Sequence, residues 1–306
     1  MDFQFKDVIS TLSHIRGGIP LQRLSTRTRY GVHRSIFFGP SYKLVGFREF
    51  DEQRDLQKMI VESTYNPDDD TVLARKTVED REVKIKFIVD LSSSNDAGPY
   101  FLKRKMMLEA IGYVGVTGAR FQDPIGLAGF TDKIVLDMSP RCGINNFYYL
   151  LKTLYDLIDE GNAGKKIKIH KTNFVTVFDF IRKTLNRPHF IPVISDFVGF
   201  DKVADSKLLR EVVSRHELMF IFLDNPTEIT DASGLGYLKR TSIETGETNI
   251  ISRSKKNLEE ISREIRERRT VLRSQLKRMG IYSAVIEPRK NFTRLNKFFI
   301  KRRKRI

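Results

Sequence analysis

Five oxygen-bearing side chains stand at positions where they could bind one divalent cation. They are Asp90, Ser92 and Ser94 in an Asp-x-Ser-x-Ser motif, Thr172 and Asp196. The motif and Asp196 each lie at the end of an apolar run, and Thr172 precedes an amphipathic stretch. Two carboxylates and three hydroxyls are hard oxygen ligands, which suit Mg²⁺ or Mn²⁺ with waters completing an octahedral shell. Because only two formal negative charges face the cation, an open coordination position would attract a carboxylate from a partner. The residues alone leave open the alternative that the serines only cap a following helix.

Strand and helix patterns alternate along the part of the chain that must position these side chains. Short apolar runs are typical of strands buried in a parallel sheet, and they occupy 83–90, 125–130, 190–195 and 218–224. Amphipathic stretches predict helices over 101–120, 145–159, 173–185 and 206–216. Asn145 and Thr172 are placed to begin two of these helices. The alternation indicates an α/β fold with a doubly wound, mostly parallel sheet, and ligands bind such sheets at the carboxyl ends of the strands.

Three regions are expected along the chain. Residues 1–82 are predicted to form an irregular, strand-containing extension packed on the main domain. That domain spans 83–300, and 301–306 form a basic, disordered tail. Within the domain, 255–279 predict a long helix that packs on the domain through an apolar stripe, and 284–290 predict a last edge strand. The stripe residues are Leu258, Ile261, Ile265, Leu272, Leu276 and Met279.

Composition and charge exclude several classes of protein. A single cysteine among 306 residues excludes a disulfide scaffold and a zinc site built on thiolates. Five scattered histidines without an HExxH motif argue against a histidine-rich metal enzyme. No stretch reaches the roughly 18 apolar residues of a membrane span, and the N-terminus lacks the pattern of a signal peptide, so we expect a cytoplasmic protein. The net charge of +16 is concentrated in 251–306, which hold 19 Lys and Arg against five Asp and Glu. Such asymmetry is typical of a surface that binds nucleic acid or anionic membranes, and a solvated helix face also explains it.

Longer stretches carry a resemblance to a known family. The motif at Asp90, together with Thr172 and the pair Ser195-Asp196, resembles the metal-ion-dependent adhesion site of von Willebrand factor A domains. More narrowly, the chain is similar to the bacterial domain-of-unknown-function-58 family, whose members have that fold and are often encoded beside MoxR-type AAA+ ATPases. The matching stretches are EFDEQR (49–54), VEDREVKIKFIVDLSSS (78–94), DPIGLAGFTDKI (123–134), SPRCG (139–143), FIPVISDF (190–197), ETGE (244–247) and LNKFFIKR (295–302).

The resemblance implies a von Willebrand factor A-like domain with a Mg²⁺ or Mn²⁺ site. Carried over residue by residue, the metal ligands are Asp90, Ser92, Ser94, Thr172 and Asp196. The chain departs from the family pattern in three places. His170 and Lys171 replace the glycines that usually precede the threonine, and Asn95 stands where methionine usually follows the serines. The usual GDD-x-x-x-x-DW stretch is missing from this chain, which has no tryptophan.

Together these observations predict a non-enzymatic, metal-dependent protein-binding adaptor. Its partner, implied by the resemblance, is a MoxR-type AAA+ ATPase acting in complex assembly or maturation, with a client protein that offers a carboxylate to the metal. The chain has no G-x-x-x-x-G-K-[ST] motif, so we do not expect it to hydrolyse nucleotides by itself. Two alternatives stay open: a hydrolase that uses the same metal to activate water, and nucleic-acid or anionic-membrane binding through 251–306.

Overall fold

Contacts divide the chain into two compact units. The larger unit comprises residues 1–19 and 84–298, and the smaller one comprises 20–83 and 299–306. The computed structural model describes residues 4–13, 30–38, 44–49, 63–66, 71–81, 84–92, 102–162, 172–224, 237–241, 248–252, 255–287 and 295.

The smaller unit is built around an antiparallel sheet. Its strands are β1 (Tyr30–Phe38), β2 (Leu44–Glu49), β3 (Ser63–Asn66) and β4 (Thr71–Arg81). β4 pairs with each of the other three, and the pairings of β4 with β1 and with β2 contain register shifts. Such shifts bend a strand and disrupt its ladder locally. Because all three other strands pair with β4, this long strand organises the sheet of the smaller unit.

The larger unit contains a six-stranded sheet in the order β12-β9-β8-β5-β6-β7. Its strands are β5 (Ile85–Asp90), β6 (Ile125–Phe130), β7 (Ile134–Arg141), β8 (Phe190–Ser195), β9 (Glu217–Leu223) and β12 (Tyr282–Ile286). Neighbouring strands run parallel except β7, which is antiparallel to β6. Every residue of β5, β6 and β8 is buried, which is typical of parallel strands covered on both faces. A separate hairpin pairs β10 (Tyr237–Thr241) with β11 (Thr248–Ser252).

Helices flank this sheet. They are α1 (Phe5–Ser13), α2 (Leu102–Arg120), α3 (Ile144–Asn162), α4 (Phe174–Thr184), α5 (Asp201–Ala204), α6 (Lys207–Arg215) and α7 (Lys255–Arg278). Apolar side chains of α4 to α7 form one cluster with Ile88 of β5. Gly118 of α2 lies against Ile85, which by strand alternation points to the face opposite Ile88. The helices therefore cover both faces. None of the described helices is both long and apolar enough to cross a membrane.

A buried lysine ties the edge strand β7 to the centre of the sheet. Lys86 of β5 is paired in register with Gly126 of β6. Its Nζ reaches past β6 to donate hydrogen bonds to the Asp137 carboxylate and, at 2.8 Å, to the Met138 carbonyl of β7. A Cβ at Gly126 would lie 2.6 Å from that carbonyl oxygen. Because residue 126 is a glycine, β7 can approach closely enough for Lys86 to contact Asp137 and Met138.

The α/β class with a mostly parallel sheet is confirmed, and the predicted strands at 125–130 and 190–195 have the observed bounds. Two helix starts differ from the prediction. α3 begins at Ile144, so Asn145 lies inside its first turn. The N-cap of α4 is Asn173 and not Thr172, because the Asn173 side chain accepts hydrogen bonds from the backbone N–H groups of Val175 and Thr176.

Candidate metal-binding site

The sheet topology brings two of the predicted ligands to adjacent strands. From β5 the chain passes to β6 and β7 on one side, and then to β8, β9 and β12 on the other. The strand order therefore reverses between β5 and β8, and the crevice at such a switch point is where open α/β sheets bind ligands. Asp90 is the last residue of β5, and Asp196 directly follows β8.

Hydrogen bonds fix the carboxylate of Asp90. The Ser195 hydroxyl donates to its Oδ2 at 2.6 Å, and the backbone N–H of Ser92 donates to its Oδ1 at 2.9 Å. The oxygen of that hydroxyl in turn accepts a hydrogen bond from the backbone N–H of Phe197 at 2.9 Å. Asp90 and Ser195 are fully buried. The carboxylate is thus held in one orientation at the end of the central strand.

The carboxylate of Asp196 is fixed from two directions. Its Oδ1 accepts a hydrogen bond from the backbone N–H of Val198 at 3.2 Å. Its Oδ2 lies 3.4 Å from the Nζ of Lys103, in the first turn of α2, and both side chains are less than one-tenth exposed. Sequence reasoning missed Lys103. The signal available was a run of three basic residues where a helix begins, since cations are unfavourable at a helix N-terminus.

The turn after Asp196 has an unusual backbone. Phe197 has a φ of 59°, a conformation that is rare for a bulky side chain and that surrounding packing must hold in place. Its buried ring stacks on Phe220 of β9 at 4.7 Å between centroids and on Phe174 of α4 at 5.8 Å. This packing supports the turn that aims Asp196 and the N–H of Val198.

The two carboxylates influence each other electrostatically. Burial and, second, the nearby charge of Asp196 raise the pKa of Asp90 from 3.8 to about 6. Hydrogen bonds from Ser195 and Ser92 oppose this rise because they stabilise the charged form. An ionised Asp90 is therefore costly in this pocket, and a bound cation would lower that cost.

The other predicted ligands are less closely joined to this pair. Thr172 is half-buried, and its neighbour Asn173 donates a backbone hydrogen bond at 3.1 Å to the carbonyl of Thr131, directly after β6. Because β6 is the other neighbour of β5, Thr172 stands at the same edge of the sheet as Asp90. Ser94 lies outside the described residues.

The chemistry of this set fits a hard divalent cation. Asp90, Ser92 and Asp196 are the predicted ligands that these contacts bring together, and all of them offer oxygen atoms. Within the described segments, no group of three or more His, Cys, Asp or Glu side chains could hold a metal ion. A metal held here would therefore depend on hydroxyl groups and waters in addition to the two carboxylates.

A small cleft of about 20 Å³ adjoins Asp90 on the side of α2 and α3. It is lined by Asp90, Leu91, Ser92, Arg104, Met107, Leu157 and Ile158. Its lining combines apolar side chains with Asp90 and Arg104, and its volume is that of a water-sized space beside the Asp90 carboxylate.

Solved structures with a similar chain trace share little sequence with this one. They include the conserved hypothetical protein BatB from Bacteroides thetaiotaomicron, with 11% identity, a TM-score of 0.40, and coverage of 73% of this chain and 100% of that one. An aerotolerance-related membrane protein from Bacteroides fragilis has 12% identity, a TM-score of 0.40 and the same coverage. The PilB minor pilin from Streptococcus sanguinis has 9% identity and a TM-score of 0.36, and covers 77% of this chain and 64% of its own. No curated protein matches the chain significantly.

A family model gives a much clearer match. The model described as "Protein of unknown function DUF58" matches residues 68–271, which is more than half of the chain. The match includes β5, β6 and β8, and thus both carboxylates of the candidate site. The chain belongs to the DUF58 family.

Proposed function

We propose that this chain is a metal-dependent protein-binding adaptor with a von Willebrand factor A-like domain. The observation that carries the proposal is the pairing of Asp90 and Asp196 at the switch point of a mostly parallel sheet, close enough for one charge to raise the pKa of the other. A buried pair of like charges is unfavourable by itself. The pair becomes favourable when a cation lies between the carboxylates.

The chain's own residues would position the cation and leave part of its shell open. Asp90 and the Ser92 hydroxyl would ligate it on one side and Asp196 on the other, with Ser94 and Thr172 as further ligands. Ser195 keeps the Asp90 carboxylate in orientation through its 2.6 Å hydrogen bond. A bound Mg²⁺ or Mn²⁺ supplies a Lewis-acidic position for a carboxylate oxygen of the partner. This association requires no proton transfer, so the proposal is a non-enzymatic one.

The partner class follows from the family resemblance. We propose a MoxR-type AAA+ ATPase in the cytoplasm, together with a client protein whose Asp or Glu completes the metal shell. The chain would then join the ATPase to its client. Because the sequence has no phosphate-binding loop, nucleotide hydrolysis would be carried out by the ATPase.

The test measures binding of the purified full chain to a purified MoxR-type ATPase from the same organism. We expect binding in excess Mg²⁺ and a loss of affinity of about tenfold or more, or about 1.4 kcal/mol, in EDTA or with Asp90→Asn. The matched control is Asp205→Asn, which changes an exposed aspartate of the same unit and should bind like the wild type. Equal binding by all variants with and without Mg²⁺ contradicts the proposal, as does Mg²⁺-dependent turnover of phosphate or ester substrates that Asp90→Asn abolishes.

A second candidate function rests on the basic surface of α7. Arg266, Arg268, Arg273, Lys277 and Arg278 are exposed on this helix. Arg263 is paired with Glu260 and Glu267, at 3.6 and 3.9 Å, which leaves the excess positive charge toward the end of the helix. Such a surface attracts nucleic acid or anionic membranes without reading sequence, so we propose this binding as the alternative.

A further inference from the structure

Lys103 is a buried cation in direct contact with the candidate metal site. Its Nζ lies 3.4 Å from Oδ2 of Asp196, and the two side chains are 8% and 9% exposed. A buried ammonium group is costly unless it is paired, and this contact gives the lysine a charged partner. Lys103 thus offers Asp196 the positive charge that a metal ion would otherwise supply.

Lys103 lies at a position in its helix that is unfavourable for a positive charge. The first turn of α2 holds Lys103, Arg104 and Lys105 and no acidic residue, although cations are unfavourable where a helix begins. Arg104 is also buried, and its Nη1 donates to the carbonyl of Ile158 at 2.8 Å beside the cleft that Asp90 lines. Two cationic side chains therefore stand in the unfavourable part of the helix, next to two carboxylates.

Positive charge already stands close to both carboxylates. Lys103 pairs with Asp196, and Arg104 lines the same cleft as Asp90. A divalent cation that binds Asp196 would therefore come close to the ammonium group of Lys103 and would have to displace it from the carboxylate. We propose that Lys103 is an internal counter-ion that competes with the divalent cation for Asp196, so that this lysine sets the metal affinity of the free protein.

The competition has a consequence for the partner. When the metal binds, Lys103 must leave the Asp196 carboxylate, and the pocket then holds the charge of the metal in addition to that of the lysine. A carboxylate from the partner adds negative charge where it is lacking. The partner and the metal therefore bind cooperatively, and the free protein holds its metal weakly. This inference rests on the proposed function, because it concerns the same ion.

The test compares Mn²⁺ binding by the full chain, followed by the electron paramagnetic resonance signal of free Mn²⁺. Lys103→Met, which removes the competing charge, is expected to tighten Mn²⁺ binding by about tenfold. Lys103→Arg, which keeps the charge, is expected to bind like the wild type. Lys105→Met is the matched control, because it removes a half-buried lysine from the same turn, and it should leave the affinity unchanged. If circular dichroism shows that Lys103→Met does not fold, Lys103→Gln carries the same expectation.

The outcomes separate this inference from the proposed function. If the wild type binds Mn²⁺ and Asp90→Asn does not, the metal site stands. In that case, equal or weaker binding by Lys103→Met and Lys103→Gln overturns the role of the lysine alone. If neither the wild type nor any Lys103 variant binds Mn²⁺, both the metal site and the competition are overturned. Tighter binding by Lys105→Met equal to that of Lys103→Met also overturns the inference, because it shows a general effect of charge.

Discussion

Asp90 carries an energetic cost whenever it is ionised, and this cost should be measurable without any metal. The carboxylate is fully buried, and its pKa of about 6 in the folded chain lies above the ordinary 3.8. Between these two values the folded chain keeps a proton that the unfolded chain releases. Folding is therefore favoured by this group at low pH, and the benefit disappears as the pH rises through the pKa of the folded state.

Replacing Asp90 by Asn should remove this pH dependence. In EDTA, the free energy of unfolding of Asp90→Asn minus that of the wild type should increase between about pH 4 and pH 7, by up to about 3 kcal/mol. Urea unfolding followed by circular dichroism at several pH values measures the difference. A difference that stays constant across this range would show that folding does not change the pKa of Asp90.

The sequence predicted the two carboxylates of the site and missed the residues that surround them. Asp90 and Asp196 end apolar runs, so strand periodicity alone places them at the sheet edge. Lys103 contacts Asp196 across 93 positions of the chain, and the left-handed backbone of Phe197 depends on rings from α4 and β9. The basic run at the start of α2 marks Lys103 as unusual, but only packing determines which carboxylate it contacts, and no local pattern predicts the backbone of Phe197.

At the level of elements, the glycines of α2 serve close packing. They weaken the helix prediction for 101–120, because glycine is a poor helix former, yet α2 is continuous over Leu102–Arg120. A Cβ at Gly112 would lie 2.5 Å from Leu12 of α1, and one at Gly115 would lie 2.1 Å from the ring of Phe147 of α3. The glycines lower the intrinsic helix propensity and in exchange allow neighbouring helices to approach.

Gly115→Ala should therefore destabilise the protein. Helix propensity alone predicts a gain of about 1 kcal/mol, whereas crowding of the fully buried Phe147 predicts a loss of about 1–3 kcal/mol, and we expect the loss to dominate. Urea unfolding gives the sign directly. In a Phe147→Leu background the same substitution should cost less, because the smaller side chain leaves room. A gain of stability in the wild-type background would show that the two helices can separate at little cost.

Some strands and helices could be predicted directly from the sequence, and others could not. β6 and β8 are unbroken apolar runs with polar residues at their ends, and their predicted bounds are confirmed. β7 alternates between half-buried and exposed residues and contains Pro140, so it lacks the apolar run that marks a buried strand. In α7, Leu272 and Leu276 are buried, but Ile265 of the predicted stripe is exposed. The side chains of Leu258 and Ile261 lie outside the described set. Hydrophobic periodicity predicts which face of a helix is apolar, but it does not predict which part of that face is buried against the rest of the protein.

At the level of the whole molecule, charge is distributed very unevenly. The net charge of +16 belongs mostly to 251–306, whereas the candidate metal site lies between β5 and β8. The two proposed activities thus use different parts of the sequence, and a change in one need not disturb the other.

Deleting residues 301–306 should reduce attraction to polyanions without affecting the proposed Mg²⁺-dependent binding of an ATPase. The deletion removes five basic residues, so the slope of log K against log salt for a short DNA duplex should become shallower by up to about four. Fluorescence anisotropy at several salt concentrations measures this slope. A variant in which Gly and Ser replace the six residues controls for chain length. An unchanged slope would show that the segment does not contact the DNA.

The bond between Ser195 and Asp90 connects positions separated by 105 residues, and contacts this distant in sequence are expected to form late in folding. A chain interrupted before β8 would have Asp90 and would lack Ser195 and Asp196. Under the proposed function, such a chain would bind neither the cation nor the ATPase. Only chains in which the sheet is complete would then enter the proposed complex.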